Sequence, residues 1–360
     1  MLIYLTTAEA METVECFYNT WGRGLASQID RRSYEDVATC RRLPLANYFF
    51  SDLERLSDEG LERADRLWSA LHAAAPDLHL GNRPAHHLRR RILLEKLYEN
   101  GFNKFTVYPA TEPPLHTRFP VFVRYANEHW GPMTDLLRTP SELRRALRRA
   151  VLIGHRLRDL LVVEFCDTSL ADGIYRKYGA YIVEGRVVPR HIFCSRHWTV
   201  RNSDLVDEAK LAEERAYLEE NPHRQELEAI AALASVDYGR FDYGLADGRV
   251  QIFEINSNPL MMRNPETYAE ERLPNQLFFA EMMLDHIRPL AAAPIQGELD
   301  LPVDWTDEPW PTRSSARTTR RARVAGELDR IRRESLSRTH LHTFGFRQSR
   351  ASEVRSAGHP

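Results

Sequence analysis

The sequence contains few cysteines and no long apolar run. Its four cysteines are scattered over 360 residues, with no Cys-x-x-Cys pair. This spacing argues against a zinc site and predicts reduced, structural thiols. No apolar run approaches ~20 residues, so no transmembrane helix and no membrane partner are expected. The chain begins directly as a predicted strand, without the basic and then apolar segments of a signal peptide, so we expect a cytoplasmic protein.

The chain also lacks a large net charge and has little lysine. Its formal net charge is −2 at pH 7, so the overall charge indicates neither nucleic acid nor a membrane surface as a partner. Only four of its 49 basic residues are lysine, so an arginine at any one position can reflect this bias rather than local chemistry. A hydrophobic content of 43% and a charged content of 28% are typical of a soluble globular protein with a sizeable core.

Residues 240–259 contain the most informative pattern, a predicted β-hairpin that ends in a polar cluster. An Asp-Gly pair at 247–248 is a two-residue turn signal between apolar runs. Glu254 and Asn256 are two residues apart on the second strand, so their side chains share a face, and Asp242 on the first strand can point to that face as well. Three such oxygen ligands on rigid strands suit Mg²⁺. The alternative is an ordinary amphipathic surface hairpin, although an unpaired carboxylate in the apolar second strand would be costly.

Upstream of this hairpin the sequence predicts alternating strands and helices. Over about residues 1–80 the alternation indicates a small α/β unit. A strand at 121–124 then leads into a polar loop at 125–132, and a buried strand follows at 160–165. Residues 172–193 form a second predicted hairpin, which carries several basic side chains.

The sequence changes in character from about residue 295. Between Arg313 and Arg355 it contains twelve arginines against four acidic residues. This composition predicts a largely disordered tail. A solvated tail is the simpler interpretation, and a contact with RNA or an acidic surface is the alternative.

The order of these features resembles that of the ATP-grasp superfamily of ATP-dependent carboxylate–amine ligases. The resemblance covers about residues 80–290 and depends most on Asp242 followed by the Glu-Ile-Asn-Ser-Asn-Pro run at 254–259, which looks like the closing metal hairpin of that family. It implies an α+β fold, with two α+β lobes preceded by a small N-terminal α/β domain. The implied domains are an N-terminal α/β domain at 1–80, an ATP-grasp domain at 81–294 and an Arg-rich, largely disordered tail at 295–360.

The resemblance also implies roles for single residues. Asp242, Glu254 and Asn256 would bind Mg²⁺, and Arg176 on the second hairpin would face the reaction centre as the catalytic residue. Contacts to the nucleotide are implied for six further side chains: Arg124, His129, Glu164, Phe165, Asp172 and Lys177.

Two of these assignments depend on strand geometry and on arginine chemistry. Lys177 adjoins Arg176 and would point to the opposite face of a regular strand, so only one of the two is expected to reach ATP. Arg124 stands where the family has a lysine at the end of a strand, and arginine can hold phosphate through two parallel hydrogen bonds. Arg240 is expected to form an ion pair with Asp242 or Glu254 rather than to contact a substrate.

The implied activity is that of an MgATP-dependent ligase. Such an enzyme forms an acyl phosphate from a carboxylate and joins it to an amine or a similar nucleophile, so ATP and Mg²⁺ are the expected cofactors and small carboxylates and amines the expected substrates. A non-catalytic nucleotide-binding scaffold that recruits a partner through the basic tail is one alternative, and an ATP-grasp kinase acting on a small molecule is another. The loop at 125–132 has a single glycine, so it offers few unhindered backbone N–H groups to phosphate.

Overall fold

The computed structural model of the protein describes residues 1–114, 116–128, 131–302, 305 and 310–312. These residues combine helices with several separate β-sheets, which confirms the predicted α+β class. None of the described helices is both long and apolar enough to cross a membrane. The α-helices are α1 (Glu12–Asn19), α2 (Tyr34–Val37), α3 (Asp58–Ala74), α4 (Arg90–Glu99), α5 (Pro140–Leu152), α6 (Glu208–Glu220), α7 (Arg224–Ala234) and α8 (Leu273–Ala292).

The strands are β1 (Leu2–Thr6), β2 (Ile29–Ser33), β3 (Arg42–Pro44), β4 (Asn47–Phe50), β5 (Leu80–Gly81), β6 (Val107–Pro109), β7 (Val121–Tyr125), β8 (Leu160–Glu164), β9 (Tyr175–Val183), β10 (Arg186–Ser195), β11 (Tyr238–Ala246), β12 (Arg249–Asn256) and β13 (Glu298–Asp300).

The N-terminal unit is built on a parallel sheet with the strand order β2-β1-β4-β5. Every residue of β1 and β4 is buried, as expected for parallel strands that are covered on both faces. Helix α3 begins after Ser57, whose hydroxyl accepts the backbone N–H of Gly60 at 3.0 Å and so caps the helix. Leu67 and Leu71 on α3 are fully buried in the core of this unit.

The segment after α8 folds back onto the N-terminal unit. Strand β13 pairs with β3 in antiparallel orientation. The guanidinium carbon of Arg63 lies 4.8 Å from the ring centroid of Trp305 and 4.7 Å from that of Trp310. The expectation of a disordered tail from residue 295 is therefore wrong for these described residues, because the two tryptophans bury their rings in the N-terminal core. The Arg-rich stretch 313–360 lies outside the described residues.

The large sheet is antiparallel, with the order β10-β9-β11-β12, and contains both predicted hairpins. Asp247 and Gly248 at the β11–β12 turn have positive φ angles of 51° and 74°, as a tight hairpin turn of type I′ requires. One face of the sheet packs against α6, where the rings of Tyr178 and Tyr217 lie 5.2 Å apart. The opposite face meets α8 and the N-terminal unit.

The small sheet is also antiparallel, with the order β6-β8-β7. Helix α5 covers one of its faces, with Leu143 and Leu147 packed near Val162. On the other face Leu161 and Val163 join α4 and the large sheet in one apolar core. This packing places α4 and β7 beside the closing hairpin.

Asn82 joins the N-terminal unit to the large sheet. Its side-chain amide donates to the carbonyl oxygens of Phe50 at 3.1 Å and Tyr238 at 2.7 Å. Its side-chain oxygen accepts the backbone N–H groups of Asp237 and Tyr238, each at 3.0 Å. One buried side chain therefore satisfies backbone groups of both β4 and β11.

Candidate functional site

Two carboxylates lie side by side on the large sheet. Asp242 on β11 and Glu254 on β12 are direct partners across the antiparallel strands, so their side chains share a face. Asn256 is the register partner of Arg240 and lies on this face as well. The structure thus brings the three predicted magnesium ligands together on one face, and their role in metal binding stays a prediction. Neighbouring carboxylates repel each other, so the site requires positive charge nearby.

The large sheet itself supplies two cations to Asp242. The guanidinium Nε of Arg240 donates to Asp242 Oδ1 at 2.7 Å, and the ammonium of Lys177 donates to Asp242 Oδ2 at 3.2 Å. Burial acts to raise the pKa of Asp242, but Arg240 and Lys177 outweigh it, so the pKa lies below the usual value. Burial likewise acts to lower the pKa of Arg240, and the charge of Asp242 reverses that effect. Asp242 is therefore a firmly ionised carboxylate.

Two further arginines reach Glu254 from other elements. Arg90 of α4 donates through Nη2 to Glu254 Oε2 at 2.7 Å, and Arg124 of β7 donates to the same oxygen at 3.2 Å. Arg90 also donates through Nη1 to the backbone carbonyls of Ala126 at 2.9 Å and Glu128 at 3.0 Å. Burial, and then the adjacent charge of Arg90, lowers the pKa of Arg124 to about 10. Two like charges are therefore held close together inside the protein.

We call Arg90, Arg124, Lys177 and Arg240 the basic cluster. Its four cations face two carboxylates, so positive charge is in excess. In addition, the Nε groups of Arg90 and Arg124 are buried and have no hydrogen-bond partner within the described part of the chain. Buried donors without an acceptor are destabilising. Unmatched charge and unmatched donors together suit an additional anion with several oxygens.

Arg176 does not belong to this cluster. Its guanidinium donates to Asp172 Oδ2 at 2.8 Å and to both carboxylate oxygens of Glu213 on α6. Because side chains alternate along β9, Arg176 lies on the face covered by α6, and Lys177 takes the face of Asp242. Lys177 is therefore the member of the pair that reaches Asp242, whereas Arg176 pairs with Asp172 and Glu213, and its predicted catalytic role stays a prediction.

Asp172 lies with Arg176 rather than with the basic cluster. The hydrogen bond from Arg176 holds the pKa of Asp172 below its usual range. The predicted contact of Asp172 with a nucleotide ribose stays a prediction.

Glu164, at the end of β8, has a separate environment. Leu161 is the register partner of Arg124, and Glu164 comes three residues after Leu161 on the same strand. Because side chains alternate along a strand, Glu164 and Arg124 lie on opposite faces of the small sheet. Its carboxylate accepts hydrogen bonds from Arg118 Nη2 at 2.6 Å and from the hydroxyl of Tyr108 at 3.0 Å. Burial acts to raise the pKa of Glu164, but the hydrogen bonds from Arg118 lower the pKa by more than burial raises it, so the pKa lies below the usual value. These residues line a surface pocket of about 400 Å³.

The last two predicted nucleotide contacts are Phe165 and His129. Phe165 meets Trp198 edge-on, with 5.8 Å between ring centroids, and the ring of Phe122 lies 5.0 Å from the same tryptophan. His129 lies outside the described residues. The predicted contacts of Glu164, Phe165 and His129 with the nucleotide stay predictions.

Sequence analysis did not distinguish Arg90 from Arg89 and Arg91, whereas the predicted ion pair of Arg240 with Asp242 is confirmed. For Arg240 the signal was present, since it precedes Asp242 by two residues on the same strand and so shares its face. Arg90 belongs to a run of three arginines at the start of α4. Only tertiary packing decides which member of such a run reaches Glu254.

Comparison with known proteins gives similarity in structure alone. No protein-family model and no curated protein matches the sequence. Among solved structures, 263 chains match. A D-alanine–D-alanine ligase from Bacillus anthracis, solved with ATP, is 12% identical with a TM-score of 0.41, and the match covers 81% of this chain and 98% of that chain. An ATP-grasp RimK domain protein from Sphaerobacter thermophilus is 12% identical with a TM-score of 0.44, over 80% and 100% of the two chains.

A third match is N5-carboxyaminoimidazole ribonucleotide synthetase from Thermus thermophilus. It is 15% identical with a TM-score of 0.42, and the match covers 82% of this chain and 80% of that chain. The chain is thus similar in structure to two ligases or synthetases and to one protein described as ATP-grasp. Identities of this size assign no activity to it.

The resemblance noted in the sequence implies Mg²⁺, and the ligand types present here fit that ion. Asp242, Glu254 and Asn256 offer oxygen atoms from rigid strands, as a hard cation prefers. Both oxygens of Asp242 and Oε2 of Glu254 already accept hydrogen bonds from basic groups, and the Asn256 side-chain oxygen accepts the N–H of Asn258 at 2.9 Å. Among the described residues no group of three or more His, Cys, Asp or Glu side chains could hold a metal ion. For a metal ion to bind, some cations of the basic cluster must therefore release these carboxylate oxygens and bind another anion instead.

Proposed function

We propose that the chain is an MgATP-dependent ligase of the ATP-grasp type. It would form an acyl phosphate from a carboxylate and join it to an amine or a similar nucleophile. The observation that supports this proposal is the convergence of four cations, from α4, β7 and the large sheet, on the paired carboxylates of Asp242 and Glu254. These cations come from separate elements of the fold, so their meeting at one buried point favours a common binding role.

A triphosphate supplies the anion that the basic cluster requires. Arg90 and Arg124 share one oxygen of Glu254, and each keeps a buried Nε group without a hydrogen-bond partner in the described chain. Phosphate oxygens would accept these donors, and guanidinium groups bind phosphate with good geometry. Transfer of the arginines to phosphate would in turn release Glu254 oxygens for a metal ion.

The residues of this site would divide the remaining work. Asp242, Glu254 and Asn256 would hold Mg²⁺, which when bound neutralises phosphate oxygens near the transferred group. Lys177 and Arg240 lie on rigid strands and would stabilise the negative charge that develops during phosphoryl transfer. Arg176 would be a positioning residue. Its hydrogen bonds to Asp172 and Glu213 join β9 to α6, and this contact would hold the neighbouring Lys177 in its direction.

Calorimetry of ATP binding with and without Mg²⁺ tests whether the chain binds MgATP, which a ligase, a kinase and a nucleotide-binding scaffold would all do. We expect Mg²⁺-dependent binding to the parent chain and at least about tenfold weaker binding to Glu254→Gln, because a charged ligand is lost. Glu219→Gln is a matched control, since Glu219 pairs with Arg215 at 2.6 Å on α6, outside the basic cluster. Parent protein that binds no ATP, or equal Mg²⁺-dependent binding to parent and Glu254→Gln, would refute the assignment.

ADP release then separates the three classes of activity. Pooled amino acids and small organic acids serve as substrates. Release that requires both a carboxylate and an amine supports the ligase, whereas a stable phosphorylated product formed without an amine identifies a kinase. Tight binding of MgATP without ADP release from any pool identifies a nucleotide-binding scaffold.

A further inference from the structure

A stacked pair of rings lies on the same face of the large sheet as Asp242. His191 and Phe193 of β10 stack with 3.9 Å between centroids and 10° between ring planes. Gly179 is the register partner of both His191 and Asp242, which fixes the common face. A Cβ atom at Gly179 would lie 2.7 Å from the His191 ring, so the absence of a side chain there makes room for the imidazole.

Four cations surround this pair of rings. The Lys177 ammonium lies 5.6 Å from the Phe193 ring centroid, and the guanidinium carbon of Arg272 lies 5.9 Å from it. Arg190 is adjacent to His191 in the chain, and Arg240 acts on His191 from β11. Burial, followed by these four charges, holds the pKa of His191 well below its usual value. The imidazole is therefore neutral at physiological pH.

The carboxylates near the rings do not match all of these cations. Asp242 pairs with Lys177 and Arg240, and Glu214 accepts a hydrogen bond from Arg272 at 3.3 Å. Arg190 has no carboxylate partner among the residues that the structure describes. Its hydrogen bonds go to the carbonyl oxygen of Met261 at 3.2 Å and the hydroxyl of Tyr268 at 3.4 Å, and its guanidinium carbon lies 4.3 Å from the ring centroid of Phe279.

Three nitrogen atoms in this region are buried without a hydrogen-bond partner. They are Nη1 of Arg190, Nε2 of His191 and Nε of Arg272, within the described ranges of the chain. The two arginine nitrogens are donors, and Nε2 of the neutral imidazole is a donor when it carries the ring proton. Arg190 is only 6% exposed and His191 only 5%. A buried cation without a counter-ion is strongly destabilising, and buried N–H groups without acceptors add to that cost. The unpaired charge and the unpaired nitrogens in this part of the sheet suit an anion with more than one oxygen.

We propose that Arg190, His191 and Arg272 bind a carboxylate group of the small-molecule substrate. One cation without a counter-ion matches one negative charge, and the two oxygens of a carboxylate match a guanidinium and an imidazole N–H. Lys177 and Arg240 lie between this carboxylate site and Glu254, so a bound carboxylate would lie next to the phosphate groups. The identification of the anion as a substrate group rests on the proposed function, whereas anion binding itself does not.

Titration of the full chain with sodium acetate tests the site directly. The chain is labelled with ¹⁵N-histidine, and the His191 signal is assigned by its loss in His191→Gln. At constant ionic strength, set with sodium chloride, we expect a saturable shift of this signal on addition of acetate and a smaller or weaker response to inorganic phosphate. No saturable shift, the same shift with chloride alone, or tighter binding of phosphate would overturn the proposal.

Variants of the cationic residues provide the second part of the test. Arg190→Gln should weaken acetate binding by about tenfold or more, because a charge-assisted hydrogen bond is lost. Arg186→Gln is the matched control, since Arg186 is exposed at the start of the same strand. If thermal unfolding shows that Arg190→Gln is not folded, Arg272→Gln replaces it. Equal acetate affinity in a folded variant would overturn the assignment.

Added MgATP separates the carboxylate site from the nucleotide site. We expect acetate and MgATP to bind together, and competition between them would overturn a separate carboxylate site. If the chain binds acetate at His191 but does not bind MgATP, the proposed function fails and the anion site stands. If it binds MgATP but not acetate, only the carboxylate site fails.

Discussion

Arg124→Met should make the chain more stable in the absence of nucleotide and weaken its binding of MgATP. Arg124 is buried on β7 beside a second cation, Arg90, and both donate to one oxygen of Glu254. Methionine has a similar length and flexibility but no charge. The substitution removes a buried cation from a cluster in which cations already exceed carboxylates.

The magnitude follows from the electrostatics of Arg124. Its pKa falls from 12.5 to about 10 on burial, so below pH 10 the charged group destabilises the folded state by about 3 kcal/mol. The folded state lowers the pKa of this base, so the charged form destabilises it fully at neutral pH. This destabilisation decreases only as the pH rises through 10 and Arg124 loses its proton. The attraction of Glu254 and its 3.2 Å hydrogen bond act against burial, and the pKa of about 10 already includes them. Glu254 keeps Arg90 at 2.7 Å, so no buried carboxylate is left unpaired.

We therefore expect a rise of about 3 kcal/mol in the free energy of unfolding. Urea unfolding followed by tryptophan fluorescence measures it without nucleotide, and calorimetry measures MgATP binding, which should weaken about tenfold or more. Arg156→Met is a matched control, because Arg156 pairs with Asp159 on the surface and its side chain is 51% exposed. That variant should change stability by less than about 1 kcal/mol. A less stable Arg124→Met variant, or unchanged MgATP affinity, would refute the reasoning.

Three further predictions concern stability, each measured by urea unfolding. Burial raises the pKa of Asp52 from 3.8 to about 7. The ionised carboxylate therefore destabilises the folded state fully above pH 7, and this destabilisation disappears towards pH 4. Asp52→Asn should therefore gain about 2–4 kcal/mol at pH 8 and less at pH 5, and an equal gain at both would contradict this. Gly179→Ala should lose about 1–3 kcal/mol, since its Cβ would lie 2.7 Å from His191, whereas Gly24→Ala, with open space around it, should show no comparable loss. Asn82→Ala should lose about 3 kcal/mol or more, because buried backbone groups of two strands lose their partner, and an unchanged midpoint would exclude that role.

Local sequence patterns were sufficient for the closing hairpin. An alternation of period two and an Asp-Gly turn are properties of neighbouring residues, and they placed Asp242, Glu254 and Asn256 on one face, as observed. The same alternation established that Arg176 and Lys177 point in opposite directions. It did not decide which of the two reaches Asp242, because that depends on where α6 packs.

The arginines at the start of α4 show why the rest of the site could not be predicted. Arg89, Arg90 and Arg91 are consecutive and chemically identical, yet each has a different carboxylate partner: Asp58 at 2.7 Å, Glu254 at 2.7 Å and Glu95 at 2.8 Å, respectively. Two of these partners are distant in sequence. No periodicity within the helix distinguishes the arginine that joins the basic cluster from its neighbours.

The C-terminal segment shows a similar limit. Arginine-rich composition predicted a tail from residue 295, but Trp305 and Trp310 enclose the guanidinium of Arg63 on α3. Composition averaged over a long window conceals two large rings that bury apolar area against a partner more than 230 residues away. Composition therefore did not locate the described residues that pack against the N-terminal unit, and the prediction for residues 313–360 stays a prediction.

Arg90 links the carboxylates to the loop that follows β7. Its Nη2 group donates to Glu254, while its Nη1 group donates to the carbonyls of Ala126 and Glu128. A guanidinium is planar and rigid, so a phosphate that attracts one edge also reorients the other. Under the proposed function, nucleotide binding at Glu254 and the position of residues 125–128 are thus physically connected. The scarcity of glycine in that loop is compatible with such a role, because the arginine supplies donors that glycine-rich backbones provide elsewhere.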